Sequence, residues 1–176
     1  MYTVMLVLVS GGAASGKSEL AEGLAVSCGG EKIYIATMLV RDSETRGRVN
    51  RHREMRRGKG FETIECPRDL SSVKIPEGST VLLECMSNLT ANECFGDLGF
   101  AGAEERVFEG IRHIERYAEN IIIVTNEIFS DGARYSSETL RYMENLAGLN
   151  RAIAVKADIV AEVVCGIPVY WKGEAG

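Results

Sequence analysis

Six short apolar runs recur along the chain, at 3–9 ("TVMLVLV"), 32–37 ("KIYIAT"), 61–66 ("FETIEC"), 80–85 ("TVLLEC"), 120–127 ("NIIIVTNE") and 158–165 ("DIVAEVVC"). Rich in Val, Ile and Leu, they fit strands covered on both faces. Between them, the stretches 18–28, 102–120 and 136–157 return an apolar residue every three or four positions, as amphipathic helices do, and Ser136 or Ser137 is placed to cap the last. Strand and helix in alternation predict an open, mainly parallel α/β sheet with helices on both faces and right-handed crossovers. After the sixth run, "VVCGIPVYWKG" predicts an antiparallel edge hairpin that turns through Gly166 and Pro168. The most loop-like segments are 67–79 and 128–136. No repeat or linker interrupts the pattern, so the 176 residues are expected to form one domain, 1–176.

The first run leads into "GGAASGKS", Gly11, Gly12, Ala13, Ala14, Ser15, Gly16, Lys17 and Ser18, which matches G-x-x-x-x-G-K-[ST]. Set between a strand and a helix, this pattern is a phosphate cradle: the glycines let backbone N–H groups and the helix N-terminus face a polyphosphate. Lys17 would reach the terminal phosphates and the Ser18 hydroxyl would bind Mg²⁺. The fold class is accordingly P-loop NTPase-like. A cation there needs a carboxylate at the carboxyl edge of the sheet, and two strand ends supply one, Glu84 and Glu127. The N-K-x-D guanine signature of switch GTPases is missing from the sequence.

Charge adds a second feature. The chain carries a net −5, yet residues 41–59 hold eight Arg and Lys against three Asp and Glu. That local excess favours a confined anion site over a nucleic-acid or membrane surface. If 43–57 is helical, Arg48, His52 and Arg56 share a face. Cationic neighbours disfavour imidazolium, so His52 is a candidate nucleophile toward an α-phosphate, with Arg51, Arg53 and Arg56 as phosphate contacts. His113 lies on an ordinary amphipathic helix and is expected to be structural. The five cysteines lack CxxC or zinc spacing and read as reduced thiols of a cytoplasmic protein. The apolar opening has no basic start and is too short to span a bilayer, so it is expected to be a buried strand.

In this order, "VSGGAASGKSELAE", "YIAT", "RVNRHREMRR", "FETIE", "VLLECMSNLTAN" with Asn92, "IVTNE" and "AGLNRAIAVKADIV" resemble the adenosylcobinamide kinase / adenosylcobinamide-phosphate guanylyltransferase family of cobalamin biosynthesis. The resemblance implies two reactions: phosphorylation of adenosylcobinamide by ATP or GTP, then transfer of GMP from GTP to give adenosylcobinamide-GDP. It implies that the guanylylated histidine is His52 and that the protein is a homotrimer; beside it, the phosphate-loop reading has Lys17 and Glu84 assisting catalysis and Ser18 and Glu84 holding Mg²⁺. The chain departs from the family pattern at Ala14, where Arg is usual, after Glu127, where "IFSDGARYSSET" replaces G-x-G-I-V-P, and at Arg151, where Gln is usual. The middle departure follows a strand's carboxyl edge, where substrate or a neighbouring subunit is contacted. Two other readings fit the same residues: a P-loop kinase of another small hydroxyl substrate, and a nucleotide-binding regulatory protein without catalysis.

Overall fold

The six apolar runs and the segment after them become seven strands of one sheet. The computed structural model describes residues 4–40, 43–130 and 132–174, apart from the side chains of residues 44 and 48. Along the chain these are β1 (Met5–Gly11), α1 (Lys17–Ser27), β2 (Lys32–Ala36), α2 (Ser43–Arg56), β3 (Phe61–Glu65), a 3-10 turn (Leu70–Ser72), β4 (Thr80–Glu84), α3 (Met86–Cys94), α4 (Ala103–Glu115), β5 (Asn120–Asn126), α5 (Ser137–Lys156), β6 (Ile159–Val164) and β7 (Ile167–Lys172). The sheet order is β3-β2-β4-β5-β1-β6-β7, parallel throughout except for the antiparallel pair β6 and β7.

Alternate strand residues feed opposite layers. Val7, Val9, Tyr34, Leu82, Ile122 and Val124 pack on the side of α1, where Ala21 and Ala25 are small enough to bring the helix close to the sheet. Leu6, Leu8, Ile33, Ile35, Leu83, Ile121 and Ile123 face the other way, against Leu89 of α3, Ile111 of α4 and Leu146 and Ile153 of α5. Burying each such aliphatic side chain stabilises the fold by roughly 1.5–3 kcal/mol.

One expectation changes in part, and one helix was not expected. The hairpin turn is made by Cys165 and Gly166, both at positive φ (51° and 80°), so its two central residues have the left-handed backbone of a type I′ turn. Pro168 does not turn the chain; it lies within β7 opposite Val163, where an edge strand tolerates a missing N–H. And "MSNLTANEC" forms α3, a helix that no apolar period announced. Tertiary contacts hold it: Met86 and Leu89 are fully buried, and Asn92 Nδ2 donates to the carbonyls of Thr37 and Pro67 at 2.8 and 2.9 Å.

The register brings the business ends together. Ala36 lies opposite Glu84, Glu84 opposite Val124 and Gly11 opposite Asn126, so β1, β2, β4 and β5 end at one edge. Of the caps, Ser136 is the one used by α5, its Oγ accepting from Thr139 N–H at 3.2 Å.

Candidate active site

The loop from Gly12 to Gly16 joins β1 to α1 and is braced by the β6–β7 turn, whose Gly166 N–H donates to the Ser15 carbonyl at 2.8 Å. The brace explains two glycines. A Cβ on Gly11 would strike Ser15 Oγ and lie 2.8 Å from the Val163 carbonyl; Gly16 needs φ 94° to start the helix, with Gly166 Cα only 3.4 Å from where its Cβ would be. Ala14 also takes a left-handed backbone, φ 55°. Lys17 is buried and reaches across the loop, its Nζ donating to the Gly12 carbonyl at 2.9 Å. This sets the N-terminus of an α-helix beside a buried ammonium: an anion cradle.

Ser18 points the other way along the edge, to Glu84 at the end of β4. Its Oγ donates to Glu84 Oε1 at 2.5 Å, the Tyr34 hydroxyl donates to Oε2 at 3.1 Å, and His52 Nδ1 lies 3.7 Å from Oε1. One carboxylate therefore joins α1, β2 and α2. Arg56, one turn beyond His52, lays its guanidinium on the Tyr34 ring, Cζ 3.3 Å from the centroid, and is 6% exposed. Arg56 Nε and Nη1, His52 Nδ1 and Ser15 Oγ are buried without a hydrogen-bond partner. A donor left unpaired in a protein interior costs about 1–3 kcal/mol, so such a set at one edge is suited to a polar ligand's oxygens.

The remaining expected residues divide. Gly11 through Ser18, His52, Glu84 and Arg56 come together. Arg53 is turned about 100° round the helix from His52; it is exposed and ion-paired with Glu65 of β3. Arg51 is exposed as well, and the side chain of Arg48 lies outside the described residues. Among the described side chains, the charged group that faces His52 is a carboxylate, Glu84, which spacing along the helix did not announce. Glu127 has its backbone beside the cradle, its N–H donating to the Gly11 carbonyl at 3.0 Å. Its carboxylate instead folds over its own loop, accepting from Phe129 N–H at 2.8 Å and Ser130 Oγ at 3.1 Å. Asp131 of that loop also lies outside the described residues. His113 Nε2 contacts the Val73 carbonyl at 2.8 Å, far along the chain from the site.

Tyr34 is the residue that sequence reasoning passed over. Burial first, then the neighbouring Glu84 charge, push its hydroxyl well above the usual phenol range, which keeps it a proton donor to Glu84. Burial likewise raises Cys85, the thiol following Glu84, and makes it inert. As a metal centre the donor set is sparse. No group of three or more His, Cys, Asp or Glu that could hold an ion occurs among the described residues. Ser18 Oγ and Glu84 Oε1 are hard oxygens side by side, which suits a cation that takes its other ligands from water and phosphate, as Mg²⁺ does.

A parallel sheet whose first strand runs through a glycine-rich loop into a helix, with a strand-end carboxylate bonded to the residue after the loop lysine, defines an α/β protein of the P-loop NTPase-like class. More narrowly, residues 7–170 match the model of the cobinamide kinase / cobinamide phosphate guanyltransferase family, and the chain belongs to that family. It is similar to the bifunctional adenosylcobalamin biosynthesis protein CobU of Salmonella typhimurium, 31% identical over 96% of this chain and 100% of the relative. Similar too are CobP of Pseudomonas aeruginosa, 33% identical over 95% and 97%, and CobU of Escherichia coli, 30% identical over 96% and 100%. No helix among the described residues is long and apolar enough to cross a membrane.

Proposed function

We propose that the protein phosphorylates adenosylcobinamide with a nucleoside triphosphate and then transfers GMP from GTP onto that phosphate, forming adenosylcobinamide-GDP through a guanylyl-histidine at His52. The observation that carries the reading is the convergence of Ser18 and His52 on one oxygen of Glu84, in a chain that matches the family over 7–170.

The residues divide the work by position. Backbone N–H groups of the cradle and Lys17 bind the β- and γ-phosphates. Ser18 and Glu84 would hold Mg²⁺, which when bound neutralises phosphate charge. With Nδ1 toward Glu84, His52 has Nε2 left to attack. The Nε2–Pα bond forms as the bond from Pα to the bridging oxygen breaks and pyrophosphate departs; the positive charge on the ring is met by Glu84. In the second half an oxygen of adenosylcobinamide phosphate attacks Pα, the P–N bond breaks, and neutral imidazole returns. Arg56, with two unspent donors, is placed to take an oxyanion. The reading carries with it a homotrimer in the cytoplasm, and sedimentation of the purified protein checks the assembly.

The test is intact-protein mass spectrometry after incubation with GTP and Mg²⁺. Wild type gains an acid-labile guanylyl adduct and His52→Ala does not. A folded wild type that binds GTP and gains no adduct overturns the guanylyltransferase half, and added cobinamide with ATP or GTP then asks for the kinase half alone.

A further inference from the structure

The two oxygens of Glu84 are held by different groups. Oε1 accepts from Ser18 at 2.5 Å and faces His52 at 3.7 Å; Oε2 accepts from the Tyr34 hydroxyl at 3.1 Å. A carboxylate at the end of a strand turns about its terminal torsion, which has broad wells, unless both oxygens are tied. Tying Oε2 therefore decides where Oε1 points. Tyr34 has a second use: its ring face supports Arg56, whose guanidinium is 3.3 Å from the centroid with Nε and Nη1 buried and unpartnered. The ring is itself fixed. It is 4% exposed, with Phe61 edge-on at 6.3 Å between centroids. A flat guanidinium with unspent donors matches the geometry of a phosphate.

We propose that Tyr34 is the positioning residue of this site, its hydroxyl setting Glu84 toward Ser18 and His52 and its ring face setting Arg56 to receive an oxyanion of the nucleoside triphosphate. The inference rests on the function proposed above. Tyr34 touches no reacting atom; it acts through the two groups that do.

The two halves are separable in steady-state guanylylation and kinase assays on the purified full chain. Tyr34→Phe keeps the ring under Arg56 and loses the bond to Glu84: kcat falls about tenfold to a hundredfold, the scale of one hydrogen bond to a charged group, while the nucleotide KM stays within about threefold. Arg56→Lys keeps the charge and loses the stacked fork: the nucleotide KM rises about tenfold with kcat held within about threefold. A tyrosine that only filled space would leave Tyr34→Phe with wild-type kinetics, and that result overturns the hydroxyl's role. An unchanged KM in Arg56→Lys overturns the ring's role. A wild type inactive in both reactions overturns the proposed function, and the inference falls with it, whereas an active wild type puts the inference alone on trial.

Discussion

Replacing Glu84 by Gln removes a charge and little else. The carboxylate accepts from two hydroxyls and its side chain is 9% exposed. A Gln amide offers its oxygen to one hydroxyl and its NH₂ to the other, and both Ser18 and Tyr34 can accept. Folding is therefore barely affected, and Tm should move by no more than about 2 °C. Catalysis has no such substitute. As the P–N bond forms, His52 becomes cationic with its Nδ1 3.7 Å from the carboxylate. At that separation a unit charge pair interacts by about 4 kcal/mol at an effective dielectric of 20, and a hydrogen bond to a charged group is worth about 1.5–3 kcal/mol net. With about 2–4 kcal/mol surviving desolvation, adduct formation slows by about 30-fold to 1000-fold. Single-turnover quench-flow with labelled GTP, read as protein-bound label against time, measures it directly. A Glu84→Gln protein that guanylylates within threefold of wild type would refute the argument, because the charge facing His52 would then contribute nothing to the transition state.

Three further outcomes follow from packing and titration. Gly110 of α4 faces Leu70, whose Cβ is 2.5 Å from where an alanine Cβ would sit, so Gly110→Ala costs about 1–2 kcal/mol after the gain in helix propensity and lowers Tm by a few degrees; Gly23, with open space around it in α1, gains about 0.5–1 kcal/mol on the same change, and calorimetry should show opposite signs. Ser136→Ala removes the cap on Thr139 N–H and costs about 1 kcal/mol by urea titration, while Ser137→Ala, one residue inside the helix, costs much less. Burial first and Asp69 second raise the Cys66 thiol from 9.0 to about 11, so its contribution is present in full below pH 9 and is lost as pH rises through about 11. Over that window the urea midpoint of Cys66→Ala should fall less steeply than that of wild type, and equal slopes would refute the assignment.

The elements of the sheet were legible because periodicity is local. Six apolar runs became β1 to β6, and α1, α4 and α5 arose where apolar residues return at helical spacing. The seventh strand was legible too, and its turn in part: Gly166 was expected there and Pro168 with it. Proline attracts a turn assignment, yet two consecutive left-handed residues, Cys165 and Gly166, make the tighter connection and leave Pro168 in the edge strand. Helix α3 escaped because its stability is not local: Asn92 joins the ends of β2 and β3 through Thr37 and Pro67, a contact with no spacing of its own in the sequence.

The site divides along the same line. A phosphate loop is contiguous, so its residues could be read in order, and the i, i+4 relation of His52 and Arg56 put them on one face of α2 before any coordinates. What spacing could not rank was three arginines within six residues. Arg53 meets Glu65 at the exposed end of β3, Arg51 meets solvent, and Arg56 turns inward onto Tyr34. The choice is made by the register of β2 against β4, which sets Ala36 beside Glu84 and so Tyr34 on the same face, two residues back. Alternation alone placed Tyr34 in a buried strand and made it look like core. Its hydroxyl acquires a target only when a second strand is laid beside the first, and the arginine that stacks on it then becomes the buried one. The basic segment of an acidic chain is thus not a uniform cloud of charge around a histidine. Among its described side chains, the inner face of this one helix brings His52 and Arg56 against Glu84 and Tyr34 of the sheet, while Arg53 meets Glu65 and Arg51 meets water.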